Sequence, residues 1–159
     1  MSGRPEEDQG DTRAGGSDDA RAQDAREGGP DMVAVRRSLP ATRRSVTHKF
    51  SISNHEGYLT IGLDAEGRPG EIFIKMAKEG SMMSGMCQAF CRAFSIAIQY
   101  GLSLEDAVAR FRGMRFEPWG ATSNPDIPEA ASIVDYVARY LEREFLERDA
   151  GAERQSLAR

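Results

Sequence analysis

Two histidines are the side chains of this 159-residue chain best suited to proton transfer. His48 alternates with apolar residues and is expected on the inward face of a strand, whereas His55 and Glu56 are expected in a turn. A histidine beside a carboxylate such as Glu56 or Glu79 can act as a general acid–base pair. A buried strand histidine and a solvated turn are the structural alternatives, and no activated nucleophile or metal-ligand set is visible beside them.

A second group of residues could bind an anion at the start of a predicted helix. Lys75, Lys78, Gly80 and Ser81 lead into that helix. Exposed backbone N–H groups and the helix dipole attract negative charge at such a position. These residues therefore predict a nucleotide or phosphate site, for which a capped helix start is the structural alternative.

A basic arm, residues 36–44, precedes the first predicted strand and contains no acidic residue. Its arginines, which could contact phosphate groups or an acidic protein surface, are Arg36, Arg37, Arg43 and Arg44. We predict that Arg43 and Arg44 contribute to the anion site, and the alternative is that the arginines are solvated charges. No aromatic residue interleaves with them, which disfavours a single-stranded nucleic-acid interpretation of the arm.

The two cysteines, Cys87 and Cys91, lie four residues apart in an apolar segment. This spacing places both thiols on one face of a helix. Two thiols cannot complete a structural zinc site, which needs four ligands. We expect both cysteines to be buried as small apolar residues.

A polar loop precedes the last predicted helix. It consists of Thr122, Ser123, Asn124, Pro125 and Asp126. A residue before proline is disfavoured in helical conformation, and Asp126 can serve as the N-cap of the helix that follows. The loop is therefore interpreted as a capping turn. The sole tryptophan, Trp119, either covers the core or anchors a partner or a base.

Three strands are predicted to position these side chains. Apolar residues alternate with polar ones near residues 45–52, 58–63 and 71–76, which is the period of half-buried strands. A turn at 54–57 and a loop at 64–70 join them. Short connections of this kind favour an antiparallel meander.

Three helices are predicted to follow the strands. The first spans about 82–100, with Ser81 as N-cap and Gly101 as C-cap, and it is apolar around most of its surface. Central burial, burial against another chain as a homo-oligomer, and a methionine-rich interaction surface are its alternatives. Ser103 caps a second helix that ends near Arg112. The last helix spans about 129–146.

This order of elements predicts an α+β domain at residues 45–147, with a three-stranded antiparallel meander packed against about three helices. Residues 1–31 hold nine acidic and four basic side chains, against 16 and 17 in the remainder. An acidic tail, 1–35, is therefore expected to be disordered. Residues 148–159 are expected to fray. No run of about 20 apolar residues is present for a membrane span, and no signal peptide is recognisable, so we expect a cytoplasmic protein.

The loop at 122–126 resembles the Thr-Ser-Cys-Pro-Asp signature of the TSCPD domain, with Asn124 in place of the cysteine. Further blocks resemble, in order, the C-terminal module of adenosylcobalamin-dependent ribonucleotide reductases. These blocks are residues 37–43, 45–50, 55–58, 70–74, 76–81, 115–118, 124–128 and 132–136. The resemblance covers about residues 35–146.

The resemblance implies an accessory or interaction domain of a ribonucleotide reductase, associated with deoxyribonucleotide production for DNA synthesis. In that family a large barrel binds cobalamin and carries the reactive cysteines, and this sequence contains no such barrel. We therefore expect a reductase catalytic subunit as partner, adenosylcobalamin only through that partner, and no catalysis by this chain alone. A small nucleotide- or nucleic-acid-binding domain is the alternative, and an independent enzyme that uses His48 or His55 ranks last.

Overall fold

The structure is a computed structural model that describes residues 34–77 and 80–148. Its elements are β1 (Ser45–Ile52), β2 (His55–Leu63), β3 (Pro69–Met76), α1 (Met82–Gln99), α2 (Leu104–Phe111), β4 (Gly120–Ala121), β5 (Glu129–Ala130), α3 (Ile133–Leu141) and a π-helical segment (Glu142–Glu147). The predicted α+β class is confirmed. Most of the predicted acidic tail, together with Lys78, Glu79 and residues 149–159, lies outside the described residues.

The first three strands form the predicted antiparallel meander in the order β1-β2-β3. Leu59 in the central strand is paired with His48 on one side and Ile74 on the other. Alternate residues point to opposite faces of a sheet, so one face is apolar and buried. That face consists mainly of Phe50, Ile52, Leu59, Ile61, Ile72, Ile74 and Met76.

The predicted turn at residues 54–57 is wrong, because it ends three residues too late. The chain turns at Ser53 and Asn54, and β2 begins at His55, which pairs with Ile52. Ser53 adopts a positive φ of 51°, and this conformation lets a two-residue connection reverse the chain. His55 and Glu56 therefore belong to a strand rather than to a solvated turn.

Helix α1 packs along β3 and buries one side only. The hydroxyl of Ser81 accepts a hydrogen bond from the backbone N–H of Ser84, which confirms the predicted N-cap. At the other end the C-cap is Tyr100, and Gly101 follows it with a φ of 107°, which is the usual place of a helix-terminating glycine. Cys87, Cys91 and Phe94 are buried toward the sheet, whereas other apolar residues of α1 are exposed. Self-association through this helix stays a prediction.

Polar side chains of α1 form hydrogen bonds with backbone groups of β3. The Ser95 hydroxyl accepts a hydrogen bond from Ile72 N at 2.9 Å and donates to Cys91 O at 2.7 Å. The side-chain amide of Gln99 donates to Gly70 O at 3.0 Å. Unpaired strand edges expose backbone groups that need partners, so α1 closes this edge.

The last helix starts later than predicted. Ser132 caps α3 by accepting a hydrogen bond from Asp135 N, so Asp126 is not the N-cap. Glu129 and Ala130 are held extended because they pair with β4 as the strand β5, and the chain becomes helical only beyond them. An apolar stripe is buried along α3, where Ile133, Val137, Tyr140 and Leu141 face the core.

None of the helices in the described part of the chain has the length and hydropathy that crossing a lipid bilayer requires.

Candidate functional site

The signature loop, residues 122–126, is held in a turn by its own side chains. The Thr122 hydroxyl accepts a hydrogen bond from Asn124 N at 3.0 Å and donates to Ile127 O. The Asn124 side-chain oxygen accepts from Asp126 N at 3.0 Å, which is an Asx-turn. Asp126 forms an exposed ion pair with Arg143 at 3.3 Å.

The signature loop is also tied to the sheet. The backbone N–H of Ser51 donates to the Ser123 hydroxyl at 2.9 Å, and Ser123 N donates to Ser51 O at 3.1 Å. These bonds continue the edge of β1, together with a bridge between Ile52 and Thr122. The loop is thus a structural turn that is hydrogen-bonded to β1, and it does not cap α3.

Asn124, Tyr136 and His48 form one hydrogen-bonded chain. The Asn124 Nδ2 group donates to Tyr136 Oη at 3.2 Å, and Tyr136 Oη lies 2.8 Å from His48 Nε2. Because the hydroxyl accepts from Asn124, its proton is available for donation to His48 Nε2. When the hydroxyl donates to Nε2, His48 is a neutral imidazole with its proton on Nδ1.

The surroundings of His48 favour the same neutral form. Burial lowers the pKa of His48, and the carboxylate of Glu144 opposes this shift. The imidazole stacks on Tyr140 with ring centroids 4.2 Å apart. Burial also raises the pKa of Tyr136. Within this hydrogen-bonded network, His48 and Tyr136 therefore both favour their uncharged forms. The network joins the loop to the core.

Within residues 34–77 and 80–148, no three His, Cys, Asp or Glu side chains come together in a group that could hold a metal ion. Asn124 occupies the position of the signature cysteine, and an amide is a poor ligand for soft metals.

An apolar groove lies between α1 and the segment after α2, and we call it the methionine groove. Its volume is about 760 Å³. Its most prominent lining residues are Met82, Met83, Met86, Phe90, Met114 and Trp119. Met82 is 86% exposed and Trp119 is 47% exposed. Apolar surface of this extent on a small domain is typical of a binding site.

The methionine groove contains one unsatisfied polar atom. His55 lines the groove, and its Nδ1 is buried without a hydrogen-bond partner among the described side chains and backbone. A buried polar atom without a partner costs free energy, so an occupant that supplies a hydrogen bond at this point would be stabilised.

At the groove margin, the Arg115 guanidinium lies 4.5 Å from the centroid of the Trp119 ring. This cation–π contact helps to orient the indole.

The two cysteines are buried, as predicted. Both thiols are free, and burial raises their pKa values, that of Cys91 to about 12. The negative charge that a Cys87 thiolate would carry opposes ionisation of Cys91 further. Because the thiolate is the reactive form, neither cysteine is set up as a nucleophile.

The predicted anion-site residues that the structure describes lie near the two ends of β3. Arg43 forms an ion pair with Glu71 near the start of the strand, whereas Lys75 lies near its end and Ser81 caps α1. Glu71 and Lys75 are four positions apart along the strand, which corresponds to about 13 Å. Arg44 lies beside the β2–β3 connection at Gly67, and Gly80 is exposed with a φ of 74°. The structure does not bring these residues into one cluster, and binding at Ser81 stays a prediction.

The methionine groove was only partly visible in the sequence. The methionines of the first helix, Met82, Met83 and Met86 among them, offered an adaptable surface as one alternative. For Trp119, an anchor for a partner or a base was one of two alternatives. The proximity of Trp119 to α1 depends on the path of residues 113–119, which have no periodicity to reveal it. The position of His55 in the groove was hidden by the incorrect turn assignment.

Comparison with known proteins gives a family and a set of relatives. A family model described as the TSCPD domain matches residues 30–145. A vitamin B12-dependent ribonucleotide reductase of Rhodopirellula baltica is 58% identical over 111 residues, which cover 70% of this chain and 11% of the relative. A protein of the same name in Streptantibioticus cattleyicolor is 46% identical, over 70% of this chain and 19% of the relative. Another in Agrobacterium fabrum is 42% identical, over 71% of this chain and 9% of the relative.

The chain thus spans about a tenth to a fifth of the length of these relatives. No solved structure matches it.

Proposed function

Since this chain belongs to the TSCPD domain family, we propose that it acts as an accessory docking domain of a vitamin B12-dependent ribonucleotide reductase. Its partner would be the catalytic portion of that reductase, and its role would serve deoxyribonucleotide production for DNA synthesis in the cytoplasm. The similarity to relatives of that name supports the reductase connection. The methionine groove is the observation that supports docking.

The chemistry of the methionine groove suits a protein partner. Its methionines are flexible and polarisable, so they adapt to apolar side chains of varied shape. Trp119 and Phe116 are large, partly exposed rings of the kind that dominate binding energy at protein interfaces. An apolar segment of the catalytic portion that also offers a hydrogen bond to His55 Nδ1 would complete the groove.

Adenosylcobalamin itself does not fit the methionine groove. The rim of a corrin macrocycle carries amide groups that need hydrogen-bonding partners. The lining of the methionine groove is almost entirely apolar, and His55, Ser53 and Glu117 are its polar members. We therefore place the cofactor with the catalytic portion of the reductase.

Affinity capture tests this proposal. The full chain serves as bait in an extract of its host under mild conditions, and bound proteins are identified by mass spectrometry. We expect recovery of a B12-dependent ribonucleotide reductase polypeptide. The proposal predicts that a Met86→Glu bait recovers much less, because a carboxylate would be placed in the apolar contact.

The matched control is Ile96→Glu. Ile96 is a partly exposed apolar residue of α1 that does not line the methionine groove. Capture should survive this change, and circular dichroism should show that both variants fold. Capture of no reductase polypeptide by the unmodified bait, or equal loss in both variants, would contradict docking through the groove.

A further inference from the structure

The outer face of the three-stranded sheet, opposite α1, carries an ordered set of side chains. Strand pairing places them in rows across the three strands. The rows are Ser45–Gly62–Glu71, Thr47–Thr60–Phe73 and Lys49–Tyr58–Lys75. We call this set the sheet face. Neither the reductase relationship nor the methionine groove gives it a role.

Two aromatic rings are exposed at the centre of the sheet face. Phe73 is 51% exposed and Tyr58 is 46% exposed. Tyr58 is paired with Lys75, so Phe73 lies diagonally across from it on the neighbouring strand. Such diagonal neighbours are about 7–8 Å apart, and their rings can offer two adjacent flat surfaces.

Positive charge flanks the central ring. Tyr58 lies between Lys49 and Lys75, one on each neighbouring strand. Lys49 contacts Glu56 at 3.6 Å, and both side chains are largely exposed. Exposed ion pairs of this kind contribute little free energy, so a phosphate group can compete for the Lys49 ammonium.

Polar groups adjoin the second ring. Beside Phe73 there is a depression of about 330 Å³, whose lining includes Thr42, Arg43, Ser45 and Thr60. The Thr47 and Thr60 hydroxyls lie 3.3 Å apart in the same row as Phe73. Hydroxyl groups can donate or accept hydrogen bonds, so the edge of a stacked base would find partners here.

We propose that the sheet face binds single-stranded nucleic acid. Two successive bases stack on Phe73 and Tyr58, and the backbone phosphates on either side of the base on Tyr58 lie near Lys49 and Lys75. Base stacking on aromatic side chains with flanking cations is the chemistry by which sheets bind single strands without reading sequence. The aromatic residues that the basic arm lacks are supplied by β2 and β3.

Fluorescence anisotropy with a labelled short oligothymidylate tests this proposal on the full chain. We expect binding that weakens as salt concentration rises, because phosphate contacts release counterions. Phe73→Ala and Tyr58→Ala should each weaken binding about tenfold, which is within the range for loss of one stacked base. Replacing Lys49 or Lys75 by glutamine should reduce the salt dependence.

Tyr100→Ala is the matched control, since Tyr100 has a similar exposed fraction but lies at the end of α1. This variant should bind like the unmodified chain. Circular dichroism should confirm that all variants fold. Absence of binding at low salt, equal weakening by Tyr100→Ala, or equally tight binding of thymidine monophosphate would overturn the assignment.

Discussion

The side-chain amide of Asn124 donates a hydrogen bond to the hydroxyl of Tyr136 at 3.2 Å. This contact joins the signature loop to α3, and the same hydroxyl reaches His48 on β1. The residue that replaces the signature cysteine is therefore integrated into the fold. Its amide oxygen meanwhile closes the turn at Asp126, so both ends of the amide are used.

Tyr136→Phe should destabilise the fold. The change removes the hydroxyl and leaves partly buried hydrogen-bonding groups of Asn124 and His48 without their partner, at a cost of about 1 kcal/mol. Chemical denaturation gives the free energy of unfolding. Tyr100→Phe is the control, because that ring is exposed at the end of α1. Equal stability of Tyr136→Phe and the unmodified chain would show that the network contributes nothing.

Mild acidification should lower the free energy of unfolding, because it favours protonation of His48. Its pKa is lowered in the folded chain and takes the ordinary value of 6.5 when unfolded. The unfolded chain then binds the proton more readily. The contribution of neutral His48 to the free energy of unfolding is fully present above pH 6.5. It is lost as the pH falls through the lower pKa that His48 has in the folded chain.

Urea denaturation at about pH 7.5 and about pH 5.5 measures this loss of stability. The matched variant His48→Gln cannot titrate, so it should lose less stability between the two values. An identical pH dependence in both proteins would exclude His48 as the source.

Much of this fold could be predicted because its core follows simple periodicity. The alternation from Phe50 to Ile52 and from Ile72 to Met76 predicted the strands and their buried face. Ser81 and Ser103 were recognisable as N-caps, since a helical pattern follows each of them directly. Local patterns were sufficient for these elements.

Other features depend on contacts between distant residues. Glu129 and Ala130 pair with β4, and this pairing delays the start of α3 in a way that the apolar stripe of the helix does not reveal. The bond between Asn124 and Tyr136 joins two elements across a turn. The charge clusters at Arg43 and Lys75 appeared to form one site in sequence, but a strand separates them.

Ser95→Ala should weaken the attachment of α1 to β3. The variant leaves the N–H of Ile72 buried without the acceptor that lies 2.9 Å away, which costs about 1–3 kcal/mol. The free energy of unfolding should fall by this amount, and the Ile72 amide should exchange faster with solvent. Ser38→Ala is the control, because Ser38 is exposed and precedes the sheet. Unchanged exchange at Ile72 would argue against this edge contact.

The cysteines should be unreactive in the folded protein. Cys87 and Cys91 are buried, and burial raises both pKa values. Alkylation by iodoacetamide at mildly alkaline pH should therefore be slow in native buffer and fast in denaturant, because the thiolate is the attacking species. Mass spectrometry counts the modified thiols over time. Rapid modification of Cys91 in native buffer would be inconsistent with its environment.

Docking of the methionine groove onto a reductase is tested most directly by titrating the purified full chain into the catalytic polypeptide of the host's B12-dependent ribonucleotide reductase. Isothermal titration calorimetry gives the dissociation constant. We predict saturable binding that Met86→Glu weakens at least about tenfold, a loss of about 1.4 kcal/mol. Ile96→Glu should leave the binding intact. Absence of binding, or equal affinity for Met86→Glu and the unmodified chain, would contradict this prediction.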